Sequence, residues 1–437
     1  MGRKSHTQTL YCSMNGYVVG QLFLKSGRMS FKYAPEWMSM EGSRAISLSL
    51  PMQMSEIKTD AVHAYFDNLL PDADAIRQHM VDRLGANSSK PFDLLAEVGK
   101  DCVGALTFTN QPPEEEMPPL AMTPLSEAQV AETIREARLE KMLGMNSDED
   151  FRISLAGAQE KTALTWWNNT WCRPHQSTPT THIFKPPIRH HENLRIDLSS
   201  SVDNEWFCLA FMRHLDITVA QAEIAQFEDQ KVLVVERFDR RLQRDNILRL
   251  PQEDFCQALG MASGSKYEEN GGPGAAAIMD LLSHSSNAYA DRLAFFQSQV
   301  VFWLLAAIDG HAKNFSISLN ADGFRLTPFY DVISAYPYFG QGNIQRQKIK
   351  MAMKVHSKNT HYRWHDITAR HWLAHGIYLG LSQDDTLSIL SFLTDNIETA
   401  LAQTFEEANA HFDVAVGTSI ADGALACKRK VVALLNS

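Results

Sequence analysis

Asp309-Gly310-His311-Ala312-Lys313-Asn314 follows the apolar run 300–308 without a transition. A helical, apolar stretch that gives way at once to an aspartate, a glycine and an asparagine loses its hydrophobicity unusually abruptly. Asn314 stands five residues after Asp309, the D-x-x-x-x-N spacing of phosphoryl-transfer catalytic loops. In that chemistry a carboxylate faces the attacking hydroxyl, and an amide oxygen holds a magnesium ion beside the phosphates. The same residues could instead form a polar helix cap through local turn hydrogen bonds, and the spacing also recurs by chance.

Other segments carry groups of the same kind. Seventeen residues after Asn314, Asp331 ends the apolar segment 327–330. Kinases place a second magnesium carboxylate there, one short hairpin after the catalytic loop. Val332-Ile333 follow it, so the usual D-F-G is absent, and a turn aspartate is the alternative. Lys185 ends His182-Ile183-Phe184 and precedes Pro186-Pro187. A strand lysine upstream of the catalytic loop is the expected ligand of the α- and β-phosphates, and Glu205 on the next helix could orient it. A solvent-facing strand-end lysine and a surface glutamate are the alternative.

Ser154-Leu155-Ala156-Gly157-Ala158-Gln159-Glu160-Lys161-Thr162 joins two expected strands. It is neither a Walker A loop nor a G-x-G-x-x-G loop. Its small residues at 156–158 would let backbone N–H groups approach phosphate oxygens, although an ordinary hairpin is the default reading. Glu236-Arg237-Phe238-Asp239-Arg240-Arg241 leaves the strand 232–235 just before the helical half. A kinase hinge would offer backbone groups to adenine at this point; a basic, solvated strand end is the alternative.

The elements that must position these groups are legible in outline. Residues 10–14, Asn15-Gly16 and residues 17–23 form a strand, a hairpin turn and a second strand. Residues 29–33 read as a third strand. Helical periodicity begins at Ala61 and ends at Pro71, and a helix over 92–98 is closed by Gly99. Four prolines and three consecutive glutamates mark 110–120 as a solvated linker. A charge-rich helical stretch covers 125–145. Strands are expected at 151–155, 163–167, 181–185 and 231–237, with a helix over 203–215 behind the capping candidates Ser199 to Ser201. Beyond residue 250 helices dominate, at 275–282, 288–308 and 386–405. The expected domains are 1–110 as an α/β subdomain, 111–146 as a linker and helical connection, 147–245 as the strand-rich lobe, and 246–437 as a helical lobe.

Composition restricts the classes. The chain has 437 residues, 21% charged and 44% hydrophobic, with 51 acidic against 41 basic side chains and a net charge of −10. These proportions fit a globular protein of about two or three domains at roughly 150 residues each. They argue against a protein that coats nucleic acid or anionic membrane by bulk charge. The six cysteines include no C-x-x-C pair, so buried free thiols are expected rather than a zinc or redox site. The segment 1–6 lacks a signal-peptide core and misses the myristoylation pattern at His6. The longest apolar run is nine residues, against about 20 for a membrane helix. A cytoplasmic protein with no membrane partner is expected.

At this point the sequence resembles the HipA-type serine/threonine-protein kinase toxins of bacterial toxin–antitoxin modules. The resemblance is carried in order by Phe66 to Asp72, PFDLLAEVGKDCVGAL from Pro91, FRISLAGAQEKTAL from Phe151, SVDNE from Ser201, ERFDR from Glu236 and LPQEDFCQ from Leu250. Lys266-Tyr267-Glu268 with Gly271-Gly272-Pro273-Gly274, Asp309 to Asn314 and Leu326 to Asp331 complete it. It implies an α+β, two-lobed protein-kinase-like fold, with an extra N-terminal subdomain and an all-helical C-terminal lobe. It implies ATP and Mg2+ as cofactors. Asp309 would accept or orient the substrate serine hydroxyl, with His311 and Lys313 in the same catalytic loop. Asn314 and Asp331 would hold magnesium, and Lys185 would contact the phosphates. Leu155, Ala156, Gly157, Ala158, Gln159, Glu160 and Lys161 would cover the phosphates, and Glu236 and Phe238 would supply hinge contacts. Ser154 matches the family's autophosphorylated serine, where about −2 of added charge would repel ATP. Ala307-Ile308 replace the usual kinase His-Arg.

The resemblance further implies an aminoacyl-tRNA synthetase as target, typically the glutamyl enzyme, with translation inhibited and growth arrested. It implies a cognate helix-turn-helix antitoxin dimer, through which operator DNA is mainly reached. A scaffold or corepressor with incidental ATP binding is the second class considered. In that reading the stretch 361–375 and Lys428-Arg429-Lys430 would touch DNA phosphates once a partner delivers the chain. A small-molecule kinase is the third.

Overall fold

The computed structural model describes residues 7–113, 118–143, 161–188, 196–341 and 344–435. The chain divides into two compact units that interleave in sequence. The first comprises 1–184, 236–265 and 317–324; the second comprises 185–235, 266–316 and 325–437.

In the first unit, Gln8–Met14 and Tyr17–Lys25 form the antiparallel hairpin that the Asn-Gly pair predicts. Asn15 and Gly16 sit at φ 47° and 90°, the left-handed pair that matches strand twist in a two-residue turn. Arg28–Tyr33 adds to one edge and Leu106–Thr109 to the other. The helices Asp60–Asp67 and Pro91–Val98 supply Phe66, Phe92 and Leu95 to a core shared with Leu10, Leu22, Phe31 and Phe108. Gly99 does cap the second helix, but at φ −69° rather than left-handed. Glycine is required there by space, because a Cβ would lie 2.4 Å from the Leu95 carbonyl and 2.6 Å from the Phe108 ring.

Met122–Pro124, Thr170–Pro174, Thr162–Trp167 and His182–Lys185 pair in that order as antiparallel strands, and Glu127–Leu143 is helical. The expected strand 151–155 lies outside the described residues. All six cysteines are free and buried. Among the described residues, no helix is long and apolar enough to cross a membrane.

The second unit is built around the helix Ser201–Arg213, buried throughout 201–212, and the helix Ala288–Leu304, buried from Ser298 onward. It also holds the hairpin Ala222–Phe227/Gln230–Glu236 and the helices Ala275–Leu282, Ala369–Tyr378, Gln383–Glu407 and Val414–Leu435. The chain beyond residue 246 is mainly helical, but it is not all-helical. It carries short strands at Asn246–Arg249, Gln252–Asp254, Ser316–Asn320, Gly323–Leu326, Lys350–His356 and Thr360–Arg363. These strands are three to seven residues long, too short to stand out as period-2 patterns beside long helices.

The helix expected over 288–308 stops at Leu304. Ala306 takes φ 48°, and the N–H groups of Ala306 and Ala307 donate back to the carbonyls of Trp303 and Phe302 at 3.1 and 2.8 Å. This is a Schellman termination with alanine at the left-handed position usually given to glycine. It releases Ala307 and Ile308 from the helix and brings Asp309 to the surface.

Candidate active site

The second unit holds seven of the residues singled out by sequence: Lys185, Glu205, Asp309, His311, Lys313, Asn314 and Asp331. Lys185, at the end of the strand His182–Lys185, has its side chain 9% exposed. Its Nζ lies 2.7 Å from Glu205 Oε1 and 3.0 Å from Asp331 Oδ1. Burial alone would favour the neutral amine. Asp331 and Glu205 outweigh it and hold the ammonium charged, with its pKa above the usual lysine value. Neither alternative raised by sequence applies: Lys185 does not face solvent, and Glu205 is 2% exposed.

Glu205 is one of three consecutive buried polar residues on a helix whose residues 201–212 are all buried. Each has a partner in a different segment. The Asp203 carboxylate accepts from Lys231 Nζ at 2.6 Å and from the Asp413 N–H at 2.8 Å. Asn204 accepts from the Ser334 N–H at 2.7 Å and donates to the Ser334 carbonyl at 2.8 Å. The second pair fixes the backbone three residues beyond Asp331. On the other side of Asp331, Phe329 exchanges backbone hydrogen bonds with Thr218 and Ala220 at 2.9 and 2.8 Å. Between these anchors Asp331 itself takes φ 61°, a left-handed conformation that aspartate tolerates better than bulkier residues. Its side chain remains 38% exposed.

The segment 309–314 is equally constrained. The Asn314 side-chain amide donates to the Asp309 carbonyl at 2.8 Å. The Ala352 N–H holds the Ile308 carbonyl at 3.0 Å. Gly310 packs on Phe302, whose ring would lie 2.6 Å from a Cβ at this position. Tyr330 links the loop to the Asp331 segment: its hydroxyl donates to the Lys313 carbonyl at 3.1 Å and contacts Ser316 Oγ at 2.5 Å. His311 and Lys313 are buried, whereas Asp309 is exposed. Burial pushes the His311 pKa down, partly opposed by the Asp309 and Asp331 carboxylates and reinforced by Lys266.

Sequence reasoning assigned no role to Tyr267, yet its hydroxyl donates to Asp309 Oδ1 at 2.6 Å. The only sequence signal was its place in the resembling segment 266–268.

The donor set suits a hard cation. A carboxylate from Asp331 and an amide oxygen from Asn314 are the ligand types that magnesium accepts alongside phosphate oxygens and water. Among the described residues no group of three or more His, Cys, Asp or Glu could hold a metal.

The other predicted residues fall elsewhere. Ser154, Leu155, Ala156, Gly157, Ala158, Gln159 and Glu160 lie outside the described residues, while Lys161 precedes Thr162–Trp167 in the first unit. Glu236 and Phe238 also belong to the first unit, exposed and half-buried respectively. The arginines between them do not form a solvated strand end. Arg237 and Arg240 are buried with Arg249 around Asp101 and Asp239, at N···O distances of 2.9–3.2 Å. In the C-terminal region Lys428 pairs with Glu398 at 2.7 Å, and Lys430 lies 5.6 Å from the centre of the Trp364 ring.

Comparison with known proteins places this geometry in context. The family model of the HipA-like C-terminal domain matches residues 153–407, more than half of the chain, and that of the HipA N-terminal domain matches residues 10–109. The chain is 30% identical to the putative kinase Y4mE of Sinorhizobium fredii over 402 residues, covering 90% of this chain and 91% of that protein. It is 26% identical to the serine/threonine-protein kinase toxin HipA of Shewanella oneidensis, covering 76% of each. Among solved structures, it matches a Shewanella oneidensis MR-1 complex of HipA, HipB and operator DNA with a TM-score of 0.81. That match has 24% identity and covers 97% of each chain, and it establishes the fold.

Proposed function

The chain belongs to the HipA family of serine/threonine-protein kinase toxins, and from that premise we propose that it transfers the γ-phosphoryl group of ATP to a serine of an aminoacyl-tRNA synthetase, the glutamyl enzyme being the expected target. The observation that carries the site assignment is the cluster in which buried Lys185 pairs with buried Glu205 and with the more exposed Asp331, in the same unit as Asp309 and Asn314.

In this reading Lys185 holds the nucleotide phosphates, and Glu205 keeps its ammonium in place. Asp309 accepts the proton as the substrate oxygen forms its bond to the γ-phosphorus and the bond to the ADP oxygen breaks. Asn314 and Asp331 would hold magnesium, which supplies charge neutralisation across the phosphates when bound. Buried, neutral His311 backs the loop as part of its packing, and Lys313 contributes its carbonyl to Tyr330. The segment 155–161 would cover the phosphates, and Glu236 and Phe238 would meet adenine through backbone groups.

The family premise also supports a partner. We assign to this chain a dimeric helix-turn-helix antitoxin, the HipB-like component of a toxin–antitoxin system, with operator DNA reached mainly through it. A net charge of −10 suits a protein that approaches DNA on a partner's positive charge. Self-phosphorylation of Ser154 would switch the kinase off, because about −2 of charge beside the phosphate-binding segment disfavours ATP.

Replacing Asp309 with Gln tests the assignment. Phosphoryl transfer to the synthetase and growth arrest on expression should both disappear while the folded state is kept. A variant that retains transfer would remove Asp309 from the mechanism.

A further inference from the structure

We propose that Tyr267 is a positioning residue for phosphoryl transfer, fixing the Asp309 carboxylate so that its second oxygen faces the acceptor hydroxyl. This rests on the reading of Asp309 as the group that receives the acceptor's proton. A carboxylate only accepts, so the phenol donates, and at 2.6 Å to Oδ1 the bond is of the short, charge-assisted kind. Asp309 is otherwise an exposed side chain. An exposed aspartate samples several rotamers, whereas one oxygen held by a fixed phenol leaves the other with a defined direction.

The phenol is indeed fixed. The Lys266 carbonyl accepts from the Ala312 N–H at 3.3 Å, and the Tyr267 carbonyl accepts from the N–H groups of Asn270 and Gly272, both at 3.0 Å. The ring meets the His311 imidazole edge-on, with centroids 5.0 Å apart. The following residue, Glu268, is anchored by Lys354 through its backbone N–H at 2.7 Å and its ammonium at 3.1 Å. A tyrosine tethered on both sides of its ring is built to hold Asp309 rather than to swing clear as a lid. The buried imidazole of His311 then acts as the surface on which the Tyr267 ring rests.

Tyr267→Phe keeps the ring and removes only the donor. With ATP and the synthetase as substrates, kcat should fall about ten- to hundredfold, with the KM for ATP and the thermal midpoint unchanged. Fluorotyrosine incorporated at position 267, which keeps a hydroxyl donor, should restore kcat. A Tyr267→Phe protein with wild-type or raised kcat, beside an inactive Asp309→Gln control, would overturn the positioning role alone. So would a fall in kcat that fluorotyrosine does not rescue. An active Asp309→Gln protein would overturn both this role and the reading on which it rests.

Discussion

Lys185 Nζ is shared between two carboxylates, Glu205 Oε1 at 2.7 Å and Asp331 Oδ1 at 3.0 Å. The two partners differ in environment. Glu205 is buried, whereas Asp331 is more than a third exposed. The first contact is a fixed strut and the second is an accessible group able to turn toward a cation. Lys185→Met should therefore lower kcat/KM for ATP by about 10²- to 10³-fold. Glu205→Gln keeps a hydrogen-bond acceptor and should cost less. Steady-state kinetics on both variants check this, and equal losses would mean that Glu205 does more than orient the lysine.

The buried charge cluster of the first unit predicts a stability effect. Asp101 accepts from Arg237, Arg240 and Arg249 and from both the N–H and the hydroxyl of Thr180. Burial alone would raise its pKa, but the three guanidinium groups together hold it well below the usual carboxylate range. Asp101→Asn leaves Arg237 and Arg240 with Asp239 and takes from buried Arg249 the carboxylate it pairs with. It should lower unfolding free energy by about 3–5 kcal/mol, read from the urea midpoint.

Glu253 gives the opposite pH signature. Burial pushes its carboxyl up to about 8, against the opposing pull of the Ser47 hydroxyl and the Leu48 N–H. The folded protein therefore keeps a proton that the unfolded chain releases above about pH 4.5. Stability from this group is fully present below that pH and declines as pH rises toward 8. Glu253→Gln retains an acceptor for the Leu48 N–H, 2.9 Å away in the parent. Urea unfolding across this interval should show a flatter pH dependence in the variant.

Ser154→Ala should abolish self-inactivation. Growth arrest by the variant should outlast that of the parent, and kinase activity should persist through prolonged incubation with ATP. A variant whose activity declines as fast as the parent's would remove Ser154 from the regulation.

What was legible in the sequence follows from what is local. The hairpin of residues 8–25 was readable because Asn15-Gly16 has few other uses. The strand Thr170–Pro174 was missed although its turn is of the same kind: Asn168 and Asn169 sit at φ 47° and 59° without a glycine to advertise it. The end of the helix at Leu304 was hidden because alanine fills the left-handed position. Lys185, Asp309, Asn314 and Asp331 were readable as a spaced set, but the role of Tyr267 depends on a contact across 42 residues. Several family-like segments owe their residue types to buried networks. ERFDR supplies the arginine–aspartate cluster, SVDNE the three polar anchors of the buried helix, and in LPQEDFCQ Asp254 and Gln257 form a capping box. Polar residues in such places look exposed in a sequence, since their partners come from distant segments.

The most direct measurement follows the γ-phosphate of radiolabelled ATP into protein, with magnesium present, comparing the parent chain with Asp309→Gln and Lys185→Met. Label should enter the synthetase, and the chain itself at Ser154, with the parent alone. Label incorporated equally by the two variants, or by none of the three proteins, would contradict the assignment of this site to phosphoryl transfer.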